Sequence, residues 1–210
     1  MLVVDDHPAV RLGVLRLLDA EPDMVAVAAG TGTEAVEMAA AQRPDVAVVD
    51  YQLGHGEDGL AVTRELRCLA EPPHVLVYSA YADTPLAALA VVAGAEGMVN
   101  KADLGGDLCV AIRDVVKGRP TWPVLPKPII HSIGLRLPWE DRPLFRMWIN
   151  GASDDDIAAT HGLSAQELEA KRRRLLRVLG GPPGRPRLPW DDGSWPLSYA
   201  RARRLRSSWS

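Results

Sequence analysis

The feature that most constrains this chain is a set of short, unbroken apolar runs: Leu2 to Val4, Met24 to Ala29, Val46 to Val49, Val75 to Tyr78 and Gly97 to Val99. Stretches with helical spacing separate them. Val10, Val14, Leu17 and Leu18 share one helical face, as do Leu86, Leu89, Val92 and Ala93, and then Leu104, Leu108, Ile112 and Val115. Runs that do not alternate apolar with polar residues suit strands buried on both faces, and strands alternating with helices through right-handed crossovers give a doubly wound parallel sheet. Pro44, Pro72, Pro73 and Gly94 stand where such a fold needs breaks. Residues 1–118 are therefore expected to form an α/β domain of five parallel strands and five helices.

The rest of the chain differs in kind. All six Trp and the one Phe lie at or beyond Trp122. Residues 1–118 carry 8 Lys+Arg against 18 Asp+Glu, whereas residues 119–210 carry 16 against 9, so an acidic half precedes a basic one that suits a polyanionic partner. Five prolines from Gly118 through Pro138 mark residues 119–136 as a linker. Helical stretches follow at about Pro143 to Asn150, Asp154 to Thr160 and Ser164 to Leu179, and residues 182–210 read as a flexible basic tail in which Leu197 to Trp209 could form a short basic helix. Cys68 and Cys109 are isolated and read as small buried residues in a reducing compartment. No run of 18 apolar residues is present and Met1 leads into a strand, so neither membrane spanning nor export is expected, and a cytoplasmic location is.

In open α/β sheets the functional groups gather where strands end at their carboxyl edge. Asp5 and Asp6 follow the first strand, Asp50 the third, Ser79 the fourth and Lys101 the fifth. Three carboxylates meeting at one rim repel one another unless a cation stands between them, and an all-oxygen donor set suits Mg²⁺. Lys101 and the Ser79 hydroxyl could then receive phosphate oxygens, which fits an aspartyl phosphate with Asp50 as nucleophile and Asp5 and Asp6 holding the metal. Each residue also has a plain reading: Asp5 or Asp6 as a helix cap before Pro8, Asp50 as a turn residue, Ser79 and Lys101 as ordinary surface. His7 and His55 flank the rim without partner spacing and read as loop residues.

The stretches VVDDH, VVDYQL, VYSAY and GMVNK resemble the motifs of a response-regulator receiver domain over residues 1 to about 118. The resemblance implies a sheet of order 2-1-3-4-5 and a sensor histidine kinase that phosphorylates Asp50. It also implies Mg²⁺ held by Asp6 and Asp50, with Asp5 assisting and the Gln52 main chain contributing, while Ser79 and Lys101 sense the phosphate. Some residues depart from the pattern. Met98 occupies the switch position usually held by an aromatic residue, LGHGEDG is one residue longer than usual and lacks its proline, and Ala102 follows the lysine.

In the basic half, Ser153 to Asp156 and Ser164 to Glu167 resemble capping boxes, joined by His161-Gly162-Leu163 as a tight turn. Leu168, Leu175 and Leu179 supply a buried stripe on the second helix. Gln166, Ala170, Lys171, Arg173, Arg174 and Arg177 are then the residues available to DNA. From Leu137 to Gly180 the spacing is similar to the small all-α LuxR-type helix-turn-helix domain of NarL/FixJ regulators, assigned here to residues 137–181, although Pro143 and the opening LPWED depart from it. Glu167 and Glu169 put acid on the recognition helix, the first as a box partner and the second four residues before Arg173.

These readings point to a phosphorylation-controlled transcription regulator that binds promoter DNA and forms a homodimer on activation. The opposite charges of the two halves suggest that the acidic one could cover the basic recognition helix until phosphorylation shifts the equilibrium. A degenerate module that binds a protein, or a receiver that works without phosphate, are the alternatives. Enzymatic turnover is not expected: Gln52 stands where an aspartate-nucleophile phosphohydrolase needs its second acid, and no P-loop or GxSxG elbow is present.

Overall fold

The computed structural model describes residues 1–54, 58–80, 82–102 and 106–180. The readings made for His55, Leu104 and the tail at 182–210 lie outside the described residues. The elements are β1 (Leu2–Val4), α1 (Pro8–Asp19), β2 (Val27–Ala29), α2 (Gly32–Gln42), β3 (Val46–Asp50), α3 (Gly59–Arg67), β4 (His74–Ser79), α4 (Thr84–Ala93), β5 (Gly97–Asn100) and α5 (Gly106–Val116). The strands form one parallel sheet of order β2-β1-β3-β4-β5. Its central strand β3 is buried along its whole length, as its unbroken VAVVD run requires.

Caps place the helices. Thr31, Asp58 and Asp83 accept main-chain N–H groups from Glu34, Leu60 and Leu86, opening α2, α3 and α4. The β2 run is shorter than the apolar stretch beginning at Met24, because Met24 turns back to the Glu21 carbonyl before the strand begins. Cys109 is buried as expected, but Cys68 is exposed, because it caps the end of α3 and its side chain falls outside the apolar face.

After the sheet come α6 (Lys127–Leu135), α7 (Arg142–Ile149), α8 (Asp154–His161) and α9 (Ala165–Gly180). The reading of 119–136 as a linker needs correcting on two counts. Thr121 pairs alongside Gly97 at the edge of β5, with the Met98 N–H donating to the Thr121 carbonyl at 2.8 Å. The second half is helix α6, whose Pro128 stands in the first turn, where proline's fixed φ favours a helix instead of breaking one.

The contact between the two parts overturns the idea that opposite net charges hold them together. α4, with the sequence TPLAALAVVA, carries no charge and is buried on nearly all sides. It shares one apolar cluster with Ile133, Leu144, Phe145, Trp148, Leu168 and Leu175 of the helical part. Among the described residues the ion pair across this joint is Arg64 with Glu169 at 2.8 Å, in which the sheet domain supplies the cation.

Candidate functional site

Strand register sets the site. β1, β3, β4 and β5 end side by side, which brings Asp5, Asp50, Ser79 and Lys101 to one rim. Lys101 Nζ lies 2.6 Å from Asp5 Oδ2 and 2.7 Å from Asp50 Oδ2, so one ammonium bridges two buried carboxylates. The remaining oxygens of those two groups accept from main-chain donors, His7 N–H at 2.8 Å for Asp5 and Gln52 N–H at 3.3 Å for Asp50. The Lys101 main chain also donates to the Ser79 carbonyl at 2.9 Å, and its side chain passes over the Tyr78 ring, 5.7 Å from the centroid.

Burial sets the charge balance. It pushes the Asp50 carboxyl above its ordinary value, against the opposing pull of Lys101. Burial alone would lower the Lys101 amine, but hydrogen bonds to Asp5 and Asp50 hold it above the usual lysine value. A carboxyl raised in the folded state contributes stability below its ordinary pKa of 3.8 and loses it as pH rises through the folded-state value. Asp50→Asn is therefore expected to raise the urea midpoint of unfolding at neutral pH, with the gain shrinking as pH falls toward about 4. A lower midpoint for the variant at neutral pH would show that pairing with Lys101 outweighs burial.

Asp6 is the carboxylate that Lys101 does not bridge. Its Oδ1 is buried and accepts no hydrogen bond, and a Cβ on Gly54 would stand 2.6 Å from its Oδ2, so the loop hugs this side chain through a glycine. One ligand atom each from Asp5, Asp6, His7 and Asp50 lie within 4.8 Å of one another. This donor set fits a divalent cation. Sequence reasoning read His7 as a loop residue and left out Arg11 and Gly59. His7 joins the cluster, Arg11 Nη1 donates to the Asp5 carbonyl at 2.6 Å, and Gly59 is packed so closely on Asp50 that a Cβ would stand 2.0 Å from the Asp50 carbonyl oxygen. For Gly59 the sequence holds no sign beyond the residue type.

The residues expected to meet DNA are arranged differently from one another. Gln166, Ala170, Arg173, Arg174 and Arg177 are exposed on α9 and Lys171 is half-buried. Every member of the Lys171 to Arg174 run has a carboxylate partner: Lys171 lies 3.7 Å from Asp141, Arg173 2.9 Å from Glu169, and Arg174 2.8 Å from Glu140 and 3.1 Å from Asp141. Arg172, absent from the DNA-facing set, is buried against the Trp148 ring and paired with Asp154, and it reaches the turn at Gly94 after α4. The box at Ser164 closes reciprocally, Glu167 N–H to Ser164 Oγ at 3.2 Å and Ser164 N–H to Glu167 Oε2 at 2.8 Å.

Residues 1–113 match the family described as the response regulator receiver domain, and the chain belongs to that family. Among relatives, it is 38% identical over 120 residues to the DNA-binding transcriptional activator DevR/DosR of Mycobacterium tuberculosis, covering 57% of this chain and 55% of the relative. It is 31% identical over 121 residues to the transcriptional regulatory protein LiaR of Bacillus subtilis, covering 57% of each. The chain thus spans about half the length of these curated relatives. Among solved structures, a LuxR-family two-component response regulator from Aurantimonas sp. superposes with a TM-score of 0.56 at 30% identity, over 62% of this chain and 94% of that one. The Salmonella typhimurium RcsB response regulator shares the fold over 85% of this chain and 90% of its own, at 19% identity and a TM-score of 0.53.

No helix among the described residues is long and apolar enough to cross a membrane.

Proposed function

We propose that this chain is a phosphorylation-controlled, DNA-binding transcription regulator whose phosphoacceptor is Asp50. The observation that carries the reading is the shared ammonium: Lys101 holds two buried strand-end carboxylates, with a buried Asp6 Oδ1 that accepts no hydrogen bond beside them. Phosphoryl transfer from a kinase histidine forms a P–O bond to an Asp50 carboxylate oxygen and breaks the P–N bond, returning the electron pair to the imidazole. Mg²⁺, held by Asp5, Asp6, Asp50 and the Gln52 main chain, would supply charge neutralisation for the incoming phosphoryl oxygens.

The chain's own residues do the rest. Lys101 moves its ammonium from the Asp50 carboxylate to a phosphoryl oxygen, and the Ser79 hydroxyl donates to another. Ser79 and Lys101 are tied through the Ser79 carbonyl, and β5 carries Met98 into the apolar cluster that α4 shares with α6 to α9. Tyr51, next to the phosphoacceptor, packs on the same cluster. Because α9 lies in this joint with Arg172 buried and Glu169 held by Arg64, a shift at β5 changes how firmly the recognition helix is docked. DNA binding and dimerisation follow from that release.

A mobility-shift titration with promoter fragments at low salt, before and after exposure to acetyl phosphate and Mg²⁺, is expected to show binding by the phosphorylated chain and not by Asp50→Asn. One observation favours a second reading, a regulator whose helices bind protein. Residues 137–180 hold seven basic and seven acidic residues, so the positive excess of the second half lies in 119–136 and in the tail. Phosphorylated chain that stays off DNA at all fragments would select that reading.

A further inference from the structure

We propose that His7 is a fourth protein ligand of the cation site formed by Asp5, Asp6 and Asp50, so that the site takes an imidazole-favouring divalent metal, Mn²⁺, Co²⁺ or Ni²⁺, as well as Mg²⁺. The inference rests on the reading of that cluster as a cation site and assigns it a metal class.

Local backbone chemistry aims the ring. Residues that precede proline are confined to extended conformations, and His7, preceding Pro8, has φ −85° and ψ 109°. Its main-chain N–H donates to Asp5 Oδ1 at 2.8 Å, which anchors the residue over the site. From there Nδ1 stands 2.7 Å from Asp6 Oδ1 and 3.6 Å from Asp5 Oδ1. Asp6 Oδ1 is nonetheless a buried atom that accepts no hydrogen bond, so the imidazole approaches it without the directionality of a donor. Two ligand atoms at right angles about one ion, each roughly 2.1 Å from it, stand about 3 Å apart, close to the observed spacing. The ring is 68% exposed, and so it closes the site from the solvent side, where an all-oxygen site would keep water.

Replacing an oxygen ligand with imidazole nitrogen shifts preference along the divalent series. Mg²⁺ gains little from nitrogen, whereas Mn²⁺, Co²⁺ and Ni²⁺ gain in rising order. If the ring were only a counter-ion to Asp6, an entering metal would have to displace it, and its removal would strengthen binding of every divalent ion alike.

The two cases separate in calorimetric titrations of the untagged full chain with Mg²⁺, Co²⁺ and Ni²⁺, using wild type, His7→Ala, His7→Gln and Asp6→Asn, with the visible absorption of the Co²⁺ complex as a second readout. Both His7 variants are expected to lose about tenfold or more in Co²⁺ and Ni²⁺ affinity, to change in Mg²⁺ affinity by less than about threefold, and to shift the Co²⁺ bands toward those of an all-oxygen complex. Unchanged Co²⁺ and Ni²⁺ affinity and spectrum, or a uniform gain for all three ions, would overturn the proposal while leaving the cation site standing. Absence of Mg²⁺ binding in wild type, or binding indifferent to Asp6→Asn, would overturn the site and with it the functional reading above.

Discussion

Gly59→Ala is expected to lose roughly 3 kcal/mol of stability and its capacity to accept a phosphoryl group. A Cβ at this position would stand 2.0 Å from the Asp50 carbonyl oxygen, 2.9 Å from its carbonyl carbon and 2.9 Å from Tyr51 Cα. All three are main-chain atoms, so no rotamer change relieves the overlap. Either the end of β3 or the start of α3 must shift. The start of α3 is fixed by the Asp58 cap on Leu60 at 2.9 Å and by the Gly59 N–H donating to the Tyr51 carbonyl at 2.9 Å. The strand end therefore yields, and it carries Asp50 away from Lys101. Gly13→Ala is the control: nothing lies within 4 Å of its added Cβ inside α1, and a gain of about 0.5–1 kcal/mol is expected there. Urea unfolding of both variants measures the contrast. A Gly59→Ala protein as stable as wild type would show that the close approach is not required.

Phe145→Ala is expected to cost about 3–5 kcal/mol, and to destabilise both parts of the chain together. Phe145 is 1% exposed, packs against Gly134 of α6, and belongs to the cluster that also contains Leu86, Leu89 and Val92 of α4. A cavity there removes apolar contacts from the sheet domain as well as from α6 to α9. Tryptophan fluorescence weights the second part and the joint, because every Trp lies at or beyond Trp122. Hydrogen exchange of the β3 and β4 amides reports the first. Both probes are expected to move to the same lower midpoint. A fluorescence transition that shifts while the strand amides keep their protection would mean that the two parts unfold independently and that the shared cluster does not couple them.

The legible parts of the fold were those where one physical requirement dominates. Strands buried on both faces must be apolar throughout, and Val46 to Val49 and Val75 to Tyr78 announced themselves for that reason. Asp5, Asp50 and Ser79 were legible because each is a polar residue placed directly after such a run, and Lys101 because it follows one at a single residue's remove. Helix α6 was hidden by Pro126 and Pro128, which read as breakers until the first-turn position of Pro128 is known. The part of Gly59 was hidden because a close approach between main chains leaves no mark beyond the residue type. Arg172 shows the limit most clearly. In a run of four cations nothing in the sequence says which one turns inward, and the answer depends on Trp148, Asp154 and the turn at Gly94, all distant along the chain.

The same distance explains why net charge misled. The excess of acid in one half and base in the other suggested that charge attraction would hold α9 on the acidic half. What meets at the joint is an uncharged α4 and an apolar face, and the crossing ion pair has its cation in the acidic half. Net charge bears on encounter and partner choice, whereas docking is decided by the few residues in contact. Screening by salt should therefore loosen the joint little.

The account stands on Asp50 as the group that takes the phosphoryl. Peptide mass mapping of the full chain after incubation with acetyl phosphate, with and without Mg²⁺, tests it most directly when paired with hydroxylamine cleavage of the acyl phosphate. One phosphoryl group on the peptide containing Asp50, dependent on Mg²⁺, removed by hydroxylamine and missing from Asp50→Asn and Lys101→Ala, is the predicted result. Modification at another residue, or none in a sample that binds Mg²⁺, would contradict it.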